Sequence, residues 1–563
     1  MAPMPQLHDL GGHPTPTLLT LPCFTLQRIR YAFHGALRKD FDSLLYGSKT
    51  LPLFNCRRGC MEQALLHIKM PNFLPSVSVD SSFFFPFPPT TASSIIIPQT
   101  ETMTISAGSG PDGVVTPHSS GIRVIVVGLG IAGITAAVEC HRKGHSVIVV
   151  DKVQSIRPHG DQIGVGANAA RVLGKWRNGE FFKDVLPFIH HIKAMEMHDD
   201  TGKLYFVNDT VGFHPPDGYM VNRGELVRLM YEYAQSLGID IRLGQVVSEY
   251  WESATEAGII VNGERLAADC VIACDGVHGK ARSVVLGEDV APDPTGYSMF
   301  RAYFDSNILA DDPQANWILE GTENRDRSQV FAREGYLLLV YTGRLGKDVG
   351  WMLTHEDYRG ASESWSTSVD PDEAIRILQD WPVRDRIVPI VRHTPKEKLI
   401  DFQLLLRPPL PTWVSGKGRI LLIGDAAHPN FHTSGQGAAQ GIEDAATVAI
   451  ALELAGKAGV PLALLTMEKI RYQRATIIQS SGLQIQDSLR FDKAAIEKDP
   501  TRARIPRPRW IFDHDCQAYA YQHFHAAAQA VQSGEEYHPR NIPVGGEYQL
   551  VHDFKGLKNT ESM

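Results

Sequence analysis

The stretch Arg123-Val124-Ile125-Val126-Val127-Gly128-Leu129-Gly130-Ile131-Ala132-Gly133 decides the fold of this 563-residue chain. A run of strand-forming residues enters three glycines at GxGxxG spacing, and small residues follow at helical register. Gly128 permits the tight turn, Gly130 lets the backbone approach a pyrophosphate, and Gly133 lets helix and strand pack closely. A second apolar run, Ser146–Val150, ends at Asp151, where an acid accepts hydrogen bonds from ribose hydroxyls. The unit reads as a βαβ opening whose helix N-terminus faces a phosphate with unpaired N–H groups.

The totals set the frame around this unit. Hydrophobic residues make up 43% and charged residues 21%, an ordinary globular balance. A net charge of −8 argues against nucleic acid as a partner, because phosphate binding needs a basic surface. No apolar run reaches the roughly 18 residues of a membrane span. The seven cysteines, at 23, 56, 60, 140, 270, 274 and 516, are too sparse for a disulfide framework. They read as thiols of a reducing, cytoplasmic compartment. Cys56 with Cys60, or Cys270 with Cys274, lacks a second pair at zinc-like spacing, so no metal is expected.

Residues 1–120 read as an irregular N-terminal extension, with Pro-rich stretches, an aromatic clump and no sustained period. Arg28, Arg30, Arg38 and Lys39 suggest a mitochondrial leader, but Asp40 and Asp42 interrupt it. Met103 opens a short polar lead-in to the nucleotide-binding strand. The expectation is therefore that folding starts near Ile122 and that residues 1–102 lie outside the working protein.

Beyond Asp151 a helix starts near Arg223, and alternating segments at 239–243, 246–251 and 258–261 suggest a meander. A buried strand at 270–274 ends in Asp275-Gly276, followed by Arg282. Residues 290–400 read as a second, mixed sheet. Another buried strand, 419–423, runs into Gly424-Asp425-Ala426-Ala427-His428-Pro429, then Gly435-Gln436-Gly437-Ala438 and Gly441-Ile442-Glu443-Asp444-Ala445 on a long helix.

This order of motifs resembles the class A FAD-dependent aromatic monooxygenases, nearest the fungal salicylate-hydroxylase-like branch, over about residues 120–490. The resemblance implies an α/β fold: a two-part Rossmann-like FAD-binding domain, an inserted mixed β-sheet substrate domain and a helical C-terminal region. The expected bounds are 121–290 and 401–455 for the two FAD-binding parts. Residues 291–400 are then the substrate domain, and 456–563 the C-terminal helices and tail. It implies that FAD is held by Gly128, Gly130, Gly133, Asp151, Gly164, Arg223, Asp425 and Ala438. Asp425 would bond the ribityl chain, and the helix from Gly437 would stabilise negative charge on reduced flavin. Asp275 helps shape the cofactor approach in that reading, or simply makes a turn.

The same resemblance implies a single-component enzyme of secondary metabolism that hydroxylates a small, phenol-like aromatic. NAD(P)H is a transient co-substrate, dioxygen is consumed, and a flavin C4a-hydroperoxide carries the oxygen. A homodimer is compatible with it. Arg301 and Tyr341, on strands of the middle domain, are the catalytic candidates, one holding a phenolate and the other hydrogen-bonding it. The bland readings are a strand arginine paired to an acid and a core tyrosine. His428 reads as a base or a turn-fixing residue, and His432 departs from the family pattern and is a further candidate base. Epoxidation, Baeyer–Villiger chemistry and a degenerate flavin-binding partner protein stay open as alternatives on the same scaffold. Halogenation is disfavoured, since no WxWxIP segment occurs.

Overall fold

The computed structural model of the chain describes residues 119–156, 160–358, 360, 368–488 and 492–548. The readings of the N-terminal extension, of Met103 as a start and of Cys56 with Cys60 lie outside the described residues.

Arg123–Val127 forms the central strand of a five-stranded parallel sheet. It pairs on one side with Ser146–Val150 and on the other with Cys270–Ala273. Ile420–Leu422 extends the sheet beyond Cys270–Ala273. Such a sheet is covered on both faces, so its strands are apolar on both faces rather than alternating. Val124 to Val127 and all four residues of Cys270–Ala273 are buried accordingly. Helix α1, Ile131–Arg142, packs on this sheet through a nearly all-buried small-residue surface.

The expected meander needs one correction. Its first segment is the strand Asp240–Arg242, which adds in parallel to Ser146–Val150 at the edge of the main sheet. The antiparallel meander is Val247–Glu252, Ala257–Val261 and Glu264–Ala268 instead. Periodicity alone does not choose between partners for a three-residue strand.

A second, seven-stranded sheet carries the substrate side. Its order is Leu399–Leu406, Asp293–Asp305, Asp348–Glu356, Tyr336–Gly343, Ser328–Arg333, Ala194–Asp199 and Leu204–Asp209. The sequence reading placed this sheet within 290–400, but the last two strands come from earlier in the chain. Ala194–Asp199 pairs in parallel with Ser328–Arg333. The strands alternate strictly between two environments. Phe300, Ala302, Phe304, Leu338, Val340, Val349, Trp351 and Leu353 join a core beneath the helices Pro371–Leu378 and Arg384–Arg392. Met299, Arg301, Leu337, Leu339, Met352 and Thr354 face a cavity on the other side.

Helix α2, Arg223–Ser236, opens with Asn222 as its cap, whose side chain accepts from the Glu225 N–H. Helix α3, Gly437–Ala455, has its residues from Ala439 to Leu452 buried. Helix α4, Val460–Ser488, lies against it. No helix among the described residues is long and apolar enough to cross a membrane.

Candidate active site

The glycines of the first loop divide by function in the structure. Gly128 has φ +101°, and a Cβ there would lie 2.3 Å from the Cys274 carbonyl oxygen. A Cβ on Gly133 would lie 1.9 Å from the Gly128 carbonyl oxygen. Gly130 is different, because a Cβ there meets nothing within 4 Å. Two glycines thus serve chain packing, and the third leaves open space above a helix N-terminus. That helix, α1, has no side-chain cap and no acid in its first turn, a combination that favours an anion. Asp151 closes the loop: it accepts from Leu129 N–H at 2.5 Å and from Val153 N–H at 2.8 Å. Its two oxygens keep further lone pairs for ribose hydroxyls.

Across the sheet, Asp425 sits in the turn after Ile420–Leu422. Desolvation raises its pKa while His428, Arg223 and Arg282 oppose the rise. Arg282 donates from Nη2 to the Asp425 carbonyl at 3.1 Å, while its Nε and Nη1 are buried without partners. Burial pushes its pKa down to about 10. Arg223 is the first residue of α2 and faces Asp161 and Asp425. The N-terminus of α3 has neither a side-chain cap nor an acid in its first turn, and Ala438 there is half-buried and small. Open glycine space, two uncapped helix starts and orphaned guanidinium nitrogens fit FAD, which needs pyrophosphate, ribityl and flavin-edge contacts.

The turn is held by a buried ionic network. His428 pairs with Asp444 at 2.5 Å, and Asp444 and Glu443 pair with Arg471 and Arg474 of α4. Asn168 donates to Glu443 at 2.6 Å and to Gln436 at 3.1 Å. His428 thus fixes the turn to α3. Asp275 accepts from the Tyr250 hydroxyl at 2.7 Å and from Ala281 N–H at 3.1 Å, so it ties a turn to the neighbouring sheet.

Beside the 432–436 loop lies a cavity of about 240 Å³. Met195, Met197, Met220, Met299 and Met352 line it, with Phe213 and Phe512. Methionines supply a polarisable surface that adapts to ring systems. Gly164 also lines it, where a Cβ would lie 2.5 Å from the Phe213 ring. Arg301 reaches the cavity, but its guanidinium is held by Asp161 through two bonds of 2.6 Å. The strand arginine paired to an acid and the cavity-lining arginine are one residue.

Tyr341 sits behind the cavity wall. It shares the cavity side of its strand, yet it is fully buried and its hydroxyl accepts from Gln162 N–H at 3.0 Å. Burial, with Asp161 nearby, pushes its pKa up, so it stays protonated. It holds the strand Gln162–Val165, which lines the cavity, and is not itself among the residues that line it. His432 does face the cavity, with both ring nitrogens buried and unpartnered. Burial and the Arg301 charge lower its pKa to about 3. A neutral ring of that kind accepts a hydrogen bond but is a poor base.

A family model described as an FAD binding domain matches residues 121–393 and 410–480. The chain belongs to the FAD-dependent monooxygenases. The FAD-dependent monooxygenase nanF of Aspergillus nanangensis is 49% identical over 458 residues, covering 80% of this chain and all of that protein. The asperlicin C monooxygenase of Petromyces alliaceus is 43% identical over 447 residues, 78% of this chain and 96% of that one. The crystal structure of CtdE in complex with FAD and a substrate is 45% identical, with a TM-score of 0.70 over 73% of this chain and 99% of that one. A salicylate hydroxylase substrate complex, at 23% identity and a TM-score of 0.58 over 72% of this chain and 98% of that one, shares the fold.

The sequence reading of this monooxygenase missed Asp161, Arg282's orphaned nitrogens and the whole C-terminal wall of the cavity, Ile505, Arg507 and Ile511 among it. Alternating methionines in Ala194–Asp199 were the one legible signal for a pocket face. Nothing local marks residues 505–512 as site residues, since they reach the cavity only through tertiary packing.

Proposed function

We propose that this monooxygenase consumes NAD(P)H and dioxygen to oxygenate an aromatic ring seated in the methionine-lined cavity. The observation that carries this reading is one shared wall. The loop that enters the flavin-facing helix α3 and the sheet face bearing Arg301 line the same cavity. FAD, reduced by NAD(P)H, supplies the activation of dioxygen and the oxygen atom transferred.

The chain's own residues then have distinct tasks. Gly130, Asp151, Arg223, Asp425 and Ala438 hold the cofactor, and Arg282 offers it two unsatisfied donors. The α3 N-terminus stabilises negative charge at the flavin edge. Arg301, held by Asp161, donates a hydrogen bond to oxygen on the substrate ring. Its pairing lowers its net charge, so it suits a developing oxyanion better than a resident one. His432 accepts from a ring O–H or N–H. The apolar walls exclude water, which protects reactive oxygen from wasteful release.

The test is a screen of aromatic compounds scored by stimulated NAD(P)H oxidation in the FAD-loaded enzyme. Product hydroxylation should accompany the stimulation. If no compound raises oxidation above the unstimulated rate and bound FAD is still present, this function is wrong.

A further inference from the structure

Arg507 is a buried cation with no carboxylate at ion-pair distance among the described residues. It lies in Ile505-Pro506-Arg507-Pro508, is 7% exposed and lines the apolar cavity. Among the described residues it makes no hydrogen bond and no ion pair, and its Nε is buried without a partner. Its guanidinium carbon stands 4.9 Å from the centroid of the Phe213 ring. Asp209 and Tyr548 are the titratable groups that face it, their charges opposing the burial that lowers its pKa, and Asp209 Oδ1, 3.2 Å from His214, is buried without a hydrogen bond.

The backbone around Arg507 is fixed, so its position does not come from a loose segment. Ile505 N–H donates to Asn208 at 2.7 Å, Asn208 donates to the Ala503 carbonyl at 3.1 Å, and Arg171 donates to the Phe512 carbonyl at 2.6 Å. A buried, unpaired guanidinium is costly, and a cation–π contact offsets only part of that cost. The cavity's other arginine is already neutralised by Asp161. The unsatisfied donor capacity of the cavity therefore includes Arg507, whose planar fork matches an sp² oxygen acceptor.

Resting on the reading of this cavity as the aromatic-substrate site, we propose that Arg507 anchors the substrate through a carbonyl-type oxygen. The substrate class is then a ring system that bears an amide or carboxylate group, not a bare phenol. His432, neutral and unpartnered in the same cavity, takes a donor from the ring.

The experiment uses the FAD-loaded full chain and three probes that share one ring system: 2-naphthol, 3-hydroxy-2-naphthamide and 3-hydroxy-2-naphthoate. Binding is read from the perturbation of flavin absorbance, which needs no turnover. The wild type should bind at least one of the two carbonyl probes about ten-fold more tightly than 2-naphthol. A stronger amide marks a neutral substrate group, and a stronger carboxylate an acidic one. Arg507→Gln should erase the preference while FAD content and 2-naphthol affinity persist. Arg507→Lys, which keeps the charge but loses the fork, should retain carboxylate binding and lose amide binding. Equal affinities for all three probes in the wild type, or a preference that survives Arg507→Gln, would overturn the proposal alone. If no probe perturbs the flavin of the wild type, the cavity is not the aromatic site and both readings fall.

Discussion

Arg301 carries two roles in one side chain, and mutation separates them. Its bidentate pair with Asp161 means that Arg301→Ala leaves a buried carboxylate without its partner. FAD content should persist, because the cradle around Gly130 and Asp425 does not use this side chain. Substrate-stimulated NAD(P)H oxidation should fall by roughly one to two orders of magnitude, the loss of a charge-assisted bond of about 1.5–3 kcal/mol. Hydrogen peroxide release should rise in step. Tyr341→Phe should behave differently: it strands the Gln162 N–H and costs about 1–3 kcal/mol of stability. A pH-dependent change in turnover without a fall in melting temperature would return Tyr341 to the catalytic list. The sequence placed both residues on strands of the middle domain, and both are on strands. It did not show that Gln162–Val165 covers one of them and not the other, because that cover arises from a segment well over a hundred residues away.

At the level of elements, the glycine loop makes a sharper test than any single contact. Gly133→Ala drives a methyl into the Gly128 carbonyl, so it should unfold the βαβ unit or leave the protein insoluble. Gly130→Ala meets no protein atom, so the protein should fold with normal secondary structure by circular dichroism. Its FAD affinity should nevertheless fall, because the added methyl occupies space kept for the cofactor. Equal FAD affinity in Gly130→Ala and wild type would show that the pyrophosphate lies elsewhere. The fingerprint, the Gly-Asp turn and helix α3 were legible because each is a local pattern with a steric cause. The strands Ala194–Asp199 and Leu204–Asp209 were not, since only pairing with Ser328–Arg333 assigns them to the seven-stranded sheet. The C-terminal segment with Arg507 was equally silent, having no period and no motif.

The whole molecule stores a set of buried groups that respond to acid in one direction. Burial lowers the pKa of His190 to about 4, of His432 to about 3, and of His514 well below its ordinary value. Paired arginines lower Glu443, against the desolvation that raises it. For each of these groups the unfolded chain binds more protons than the folded one below its unfolded pKa. Their histidine contribution is neutral in effect above about pH 6.5 and turns destabilising as pH falls toward the folded values. Glu443 adds its own loss below about pH 4.5, its unfolded value. Asp275 and Asp425, whose values burial raises, oppose this trend. The melting temperature of the FAD-loaded protein should therefore drop by several degrees between pH 7 and pH 4.5. A flat profile across that window would mean these histidines are solvated or already charged in the folded state.

In the proposed reaction FAD places one atom of dioxygen on an aromatic ring in the methionine-lined cavity. The most direct measurement follows the label from ¹⁸O₂ during turnover of an aromatic compound that stimulates NAD(P)H oxidation. The product should carry one labelled oxygen per NAD(P)H consumed, with Arg301→Ala diverting most of that label to hydrogen peroxide. An oxidised product whose new oxygen comes from water, or one formed at full labelling by Arg301→Ala, would contradict it.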